Sequence, residues 1–260
     1  MKINTLLSLM LLALTAACTT TTPSYTVDSP NSAAKQNPDT LLKAMSHKLG
    51  SAKQLSFHAN RTVDPSLAKQ LGIQQQANIH IIAARPDKAV AHSVAKNDVR
   101  HMYFDGKQFT LAHDTGKVYS TVTLKATLDA LPERLQHGYG YVPPLSEFIV
   151  SDIYKRLKSQ TKGISYLGTG TITYGNVKTK CHRIALSGQN GDSALWLSEE
   201  DLLPRLLTTT TKGSSKPGLV EQFYGWNLTN QPCTGCFTYK PAPGATAIDM
   251  VKTSDMVRSD

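Results

Sequence analysis

From Leu55 onward the chain is a succession of short segments in which apolar and polar residues alternate. This period of two constrains the fold more than any other feature. Leu55, Phe57 and Ala59 alternate with Ser56, His58 and Asn60, and Ala77, Ile79, Ile81 and Ala83 alternate with Asn78 and His80. Such alternation places one set of side chains on each face of a strand, the mark of a half-buried sheet. Turn residues punctuate the segments. In Arg85-Pro86-Asp87-Lys88 the proline presets the backbone and the aspartate can bond its own backbone. Asp105-Gly106, between apolar-patterned stretches at 100–104 and 108–112, is a hairpin signal. Further strands are expected at 89–94, 118–122, 164–174, 178–186, 193–197, 203–211 and 220–228, with a short last one at 237–243. Apart from that short last one, the sum is about ten or eleven antiparallel strands without a repeat of fixed period.

Helical patterns interrupt the strands twice. Residues 39–50 put Leu41, Leu42, Met45 and Leu49 on one face, with Asp39 as the expected cap and Gly50 as the stop. A second pattern at 124–136 carries Leu128, Leu131 and Leu135, with Pro132 weakening its middle. One or two short helices are expected at 145–157, carrying Phe148, Ile149, Ile153, Tyr154 and Leu157. A single-faced helix beside a run of strands must hide its apolar face on a sheet. The fold class is therefore mainly β (α+β).

The amino terminus carries an address. Met1-Lys2 is followed by an apolar run ending at Leu14, then by Thr15-Ala16-Ala17-Cys18. The run is well short of the roughly 20 residues a membrane-spanning helix needs, and has the regions of a secretory signal. Small residues abutting a cysteine resemble a bacterial lipobox, although Thr15 is less usual than Leu at its position. That resemblance implies cleavage before Cys18 and acylation of it. Three acyl chains would anchor the protein firmly, since each buried methylene contributes about 0.8 kcal/mol. By the same resemblance to bacterial lipoproteins, Thr19 rather than Asp after the cysteine implies anchoring in the outer membrane with the domain in the periplasm. The expected organisation is a signal peptide at 1–17, the lipidated cysteine and a flexible tether at 18–38, a folded domain at 39–250 and a tail at 251–260. The tether, rich in Thr, Ser, Pro and Asn, would span about 25 Å.

Twenty-eight Lys and Arg against 19 Asp and Glu give a net charge of +9. In the periplasm the acidic partners available are anionic lipid headgroups, lipopolysaccharide and cell-wall polymer. The basic residues are scattered and lack the aromatic interleaving of a base-stacking surface, so nucleic acid is not an expected partner.

Catalytic constellations are absent from the sequence. No Gly-x-Ser-x-Gly elbow, phosphate loop or dinucleotide fingerprint occurs. Gly168-Thr169-Gly170 reads as a bend in a curved sheet, and Glu199-Glu200-Asp201 as solvated charge in a turn. Cys233-Thr234-Gly235-Cys236 has the spacing of a redox dithiol but lies in a Pro- and Gly-flanked loop rather than at a helix start. A structural disulfide, within the pair or from one member to Cys181, is the favoured alternative. A zinc site built from the same cysteines lacks a fourth ligand, because His182 points to the face opposite its neighbour Cys181. The eight histidines show no helical metal spacing, and most read as solvent-side strand residues. No metal or cofactor is expected. The strand aromatics Tyr103, Tyr119, Trp196 and Trp226 fill a core or, with Leu41, Met45, Leu49 and Phe57, line an apolar cavity.

A series of landmarks is similar to a bacterial family of periplasmic proteins, domain-of-unknown-function family 2092. They are Arg85-Pro86-Asp87-Lys88, Tyr103-Phe104-Asp105-Gly106-Lys107, Lys117-Val118-Tyr119, Cys181-His182, Trp196-Leu197, Leu203-Pro204-Arg205, Trp226-Asn227 and Pro241-Ala242-Pro243-Gly244-Ala245. That family resembles in fold the lipoprotein-localisation factors LolA and LolB and the regulator RseB. The resemblance implies a curved antiparallel half-barrel closed by helices around a cavity for acyl chains. It supplies no catalytic residues, and Cys233 and Cys236 depart from its pattern. The function expected is non-enzymatic binding of an acyl chain, lipid or lipoprotein. The alternatives are capture of an envelope protein by a sensor or scaffold and, third, thiol redox chemistry.

Overall fold

The structure, a computed structural model, describes residues 24–28, 36–71, 73–189, 191–229 and 235–256. Cys18 with its leader, and Cys233, lie outside the described residues. The strands are β1 (Ser24–Val27), β2 (Gln54–Val63), β3 (Gln76–Ala84), β4 (Lys88–Ala95), β5 (Asp98–Phe104), β6 (Gln108–His113) and β7 (Val118–Thr123). After the helical insertion come β8 (Gly163–Tyr174), β9 (Val177–Ser187), β10 (Gly191–Ser198), β11 (Pro204–Thr211), β12 (Leu219–Asn227) and β13 (Thr246–Ala247). The helices are α1 (Pro38–Ser51), α2 (Pro65–Leu71), α3 (Leu131–Tyr139), α4 (Ile153–Gln160) and α5 (Thr253–Met256), with a 3₁₀ turn at Ser146–Phe148.

All strands join one open, curved sheet in the order β1-β8-β9-β10-β11-β12-β2-β3-β4-β5-β6-β7-β13. Sequential hairpins build each half, and the pairing of β12 with β2 splices the halves together. Every pairing is antiparallel except that of β13, which runs parallel to β7. The mainly β, helix-closed architecture agrees with the sequence reading. Its thirteen strands exceed the expected ten or eleven, the surplus lying at the two edges.

Strand β1 corrects the expectation of a structureless tether. Ser24–Val27 pairs with β8, the Tyr25 ring meets the Trp196 ring edge-on at 5.5 Å, and Thr169 Oγ1 donates to Asp28 at 2.6 Å. An edge strand exposes unpaired backbone groups, and a short β-forming stretch beside it satisfies them. At the other end, 237–243 forms no strand. Phe237 is instead buried against Ala84 and Val90 on the outer face, and the Tyr239 ring sits between those of Tyr103 and Tyr119.

The helix termini also differ from expectation. Asn37, not Asp39, caps α1, its Oδ1 accepting from the backbone N–H of Asp39 at 2.9 Å. Asp39 instead accepts from the Tyr154 hydroxyl at 2.7 Å. Pro132 starts α3 rather than interrupting a longer helix, since in the first turn a missing N–H costs nothing. Helix α2 follows Asp64, which accepts from the Ser66 N–H at 2.9 Å, and carries no long apolar periodicity that would announce it.

Helices close the concave face over one half of the sheet. Leu42, Met45 and Leu49 of α1 are fully buried with Phe57, Phe148 and Phe223. The Trp226 ring stacks on Phe57 at 4.3 Å. Full burial of each such side chain contributes about 1.5–3 kcal/mol. Arg85, at the end of β3, ties the helices to the sheet. Its guanidinium donates to the carbonyls of Leu49, Ala52, Ile149 and Val150, groups left over at the ends of α1 and of the 3₁₀ turn.

Candidate functional site

The other half of the concave face is hollow, and the inward residues explain why. Where β2 and β12 present Phe57 and Phe223, β3 and β4 present Ala77, Ala91, Ser93 and Ala95. Small side chains on a strongly curved sheet leave space that neighbouring groups cannot fill. The result is a cavity of about 710 Å³, within the roughly 300–1,000 Å³ typical of small-molecule sites.

The floor is apolar: Ile79, Ala91, Met102, Leu111 and Val118 come from five consecutive strands. The opposite wall comprises Tyr141, Val142 and Pro144, after α3, and Ile248, Met250 and Val251, after β13. Val142, Ile248 and Val251 are exposed, giving the mouth an apolar rim. Gly140 releases the chain into that wall. It ends α3 at φ 64°, a left-handed conformation natural to glycine, and its N–H caps the Gln136 carbonyl at 2.9 Å.

One side of the cavity is polar. Arg100 Nε donates to Asp98 Oδ1 at 2.8 Å, and His113 Nε2 lies 3.2 Å from the same oxygen. Arg61 pairs with Glu221 across β2 and β12. The buried Ser120 hydroxyl faces this space without a protein partner among the described residues. Burial pushes Tyr141 up to about 12, so its phenol stays neutral. Behind the wall, burial first and the Glu221 carboxylate second push Glu147 up to about 7.

The residues singled out from sequence divide unevenly around this geometry. Leu41, Met45, Leu49 and Phe57 are core, and Trp226 packs against them, in the filled half. Trp196 is on the outer face with Cys181, Ile172 and Leu206, and Tyr103 on the outer face beside Tyr239. Tyr119 alone of the eight borders the cavity, and it also contacts Tyr239. Alternation separated the two faces of a strand but not which of them turns inward, and Tyr103 and Trp196 stand on the outer one. It could not say which inward positions are covered by a helix. The signal that was available is the run of small inward residues at 77, 91, 93 and 95.

Cys181 and Cys236 lie in separate clusters on the outer face. Cys181 is buried in the cluster of Ile172, Trp196 and Leu206 at the β8–β11 end. Cys236 packs against Ala84, Val90 and Phe237 beside β3 and β4. Cys181 is a free thiol, so the bridge from the Cys233-Cys236 loop to Cys181, one of the two pairings considered, is not formed. Burial pushes the Cys181 thiol up to about 12, far from the range of a reactive cysteine. The pairing of Cys233 lies outside the described residues.

An open antiparallel sheet, curved around an apolar cavity and closed by helices, defines a half-barrel. The chain belongs to the family described as predicted periplasmic protein (DUF2092), whose sequence profile matches residues 38–251, and it is a periplasmic protein. Its fold is similar to that of an uncharacterized conserved protein from Thermus thermophilus, with TM-score 0.51 and 7% identity over 82% of this chain and 99% of that one. Weaker likenesses are to the MucA/MucB complex of Pseudomonas aeruginosa (TM-score 0.43, 8% identity, 79% of this chain and 62% of that one) and to a LolA superfamily protein, NE2245, from Nitrosomonas europaea (TM-score 0.33, 11% identity, 78% and 98%). No curated protein matches the chain.

Proposed function

We propose that this protein is a non-enzymatic lipoprotein, anchored in the outer membrane through acylated Cys18, that takes an acyl chain of a lipid or lipoprotein into its half-barrel cavity. The observation that carries the reading is the cavity: about 710 Å³, with an apolar floor spanning five strands and an exposed apolar rim. Apolar surface held open to water is costly, and an acyl chain removes it from solvent without needing directional contacts. The Asp98–Arg100–His113 group on one side would meet the polar end of such a ligand. The lipobox-like segment ending at Cys18 supports the anchor.

Native mass spectrometry of the Cys18→Ala full chain, purified from cells and then incubated with bacterial phospholipid, tests the reading. A bound mass released on denaturation as phospholipid or fatty acid is the expected result. A clean apo mass before and after incubation would overturn it and turn attention to an envelope-protein partner. Metabolic labelling with palmitate tests the anchor, and label that persists in Cys18→Ala would place the acyl group elsewhere.

A further inference from the structure

On the outer face, one rung of the sheet is built almost wholly of imidazoles, and its last member, His101, also borders the cavity. Register places Tyr224, His58, His80, His92 and His101 side by side on β12, β2, β3, β4 and β5. The ring centroids are 4.1 Å apart for His58 and His80, 6.5 Å for His80 and His92, and 4.8 Å for His92 and His101. These are half of the eight histidines of the chain. All four are partly buried, so they are not the solvated strand residues expected from sequence. Burial lowers the proton affinity of His58, His80 and His92, and neighbouring imidazoles lower it further for His80 and His92. Neutral imidazole is the form that ligates metals.

The geometry at the β4–β5 end is specific. His101 Nε2 lies 2.7 Å from Asp114 Oδ2, and a carboxylate only accepts, so that nitrogen carries the proton. In the neutral ring, His101 Nδ1 then carries the lone pair. It points at His92 Nδ1, 2.6 Å away, a hydrogen-bond distance that one hydrogen on His92 Nδ1 would bridge. A carboxylate holding the far N–H of an imidazole is the arrangement that orients metal-bound histidine. Metal–nitrogen bonds of about 2.0–2.1 Å place two ligating rings with centroids about 4.5–5.2 Å apart. The 4.8 Å separation of His92 and His101 falls in that interval. Their nitrogens need to part by less than about 1 Å, a small rotation of each ring. Among the described residues no three donors already converge. His80, its ring centroid 6.5 Å from that of His92, is the nearest further imidazole on the rung.

We propose that this rung binds one divalent late first-row transition metal ion, Zn²⁺ or Cu²⁺ in class. His92 and His101 are its anchoring ligands through Nδ1, His80 is the third, and Asp114 orients His101. Nitrogen ligands of this kind suit these ions and disfavour Mg²⁺ and Ca²⁺. The ion takes the place of the hydrogen bridging the two Nδ1 atoms, and that proton leaves to solvent.

Calorimetric titration of the metal-stripped full-length chain with Zn²⁺ alone, and separately with Cu²⁺ alone, tests the assignment. One ion per chain is expected, with affinity about 10–100-fold weaker in His92→Ala, His101→Ala and Asp114→Asn, matching the usual cost of losing such groups. His47→Ala, on the exposed face of α1, should bind as the unmodified chain does. The Cu²⁺ electron-paramagnetic spectrum should show coupling to at least two nitrogens in the unmodified chain, a readout independent of how well a variant folds. No heat of binding with either ion would overturn the proposal. So would unchanged affinity in both His92→Ala and His101→Ala, or a spectrum without nitrogen coupling.

Discussion

Arg85 Nη1 donates to the Ile149 carbonyl at 2.6 Å, joining the end of β3 to the 3₁₀ turn that roofs the core. The same guanidinium reaches the carbonyls of Leu49, Ala52 and Val150, so one side chain serves two helix ends. Burial lowers the Arg85 pKa, the nearby Asp129 opposing that fall. Arg85→Met removes a charged donor from four buried carbonyls and should cost about 3 kcal/mol in urea unfolding followed by tryptophan fluorescence. Arg85→Lys should recover less than half of the loss, because an ammonium cannot span the fork. A loss below about 1 kcal/mol for Arg85→Met would mean that water replaces the arginine.

The filled and hollow halves of the concave face should respond oppositely to mutation. Ala91→Phe extends into the cavity and should reduce lipid occupancy about tenfold while changing stability by less than about 1.5 kcal/mol. Phe57→Ala should cost about 3–5 kcal/mol of stability and leave occupancy in the folded fraction unchanged. Lipid extraction and chemical denaturation of both variants separate the two effects. Equal loss of lipid in both would place the ligand in the helix-covered half.

Glu147 makes stability depend on pH with a defined sign. Its carboxyl is raised by burial, and then by Glu221, from an ordinary value of 4.5 to about 7. The folded state therefore holds a proton that the unfolded chain releases between those values. The stabilising contribution is complete below about pH 4.5 and is lost as pH rises to about 7. Glu147→Gln should raise stability at pH 8 by about 1–2 kcal/mol and flatten the pH profile between 5 and 7. An unaltered profile in this variant would assign the dependence to other groups.

Cys181 should be inert in the native protein. With its thiol buried and raised to about 12, iodoacetamide at pH 8 should leave it unmodified until denaturant is added. Peptide mapping reads the modification directly. Rapid native alkylation would show that the cluster of Ile172, Trp196 and Leu206 opens readily.

Strand β1 should depend on the missing side chain of Gly170. A Cβ there would come within 2.6 Å of both the Thr26 carbonyl oxygen and the Trp196 ring. Gly170→Ala should therefore detach β1, expose residues 24–28 to limited proteolysis and leave the rest of the sheet folded. Unchanged protection of this segment would mean that Trp196 can give way.

The sequence by itself determined most of the strands, the alternation of their side chains between two faces, the amphipathic α1 and the mainly β class. These rest on local periodicity, which survives in any packing. Leu41, Met45, Leu49 and Phe57 were legible as apolar-face residues for this reason. Tertiary structure alone decided which inward positions are covered. The helix beginning at Pro38 lies over the half bearing Phe57 and Phe223, whereas among the described residues no helix residue lines the cavity beside Ala77 and Ala91. It alone also decided register. His58, His80, His92 and His101 are scattered over more than forty positions of sequence and meet because three consecutive hairpins pair them. Local pattern specifies the face on which a side chain stands, whereas its neighbours across strands are set by turn lengths and long-range pairing, where each one-residue slip exchanges the two faces.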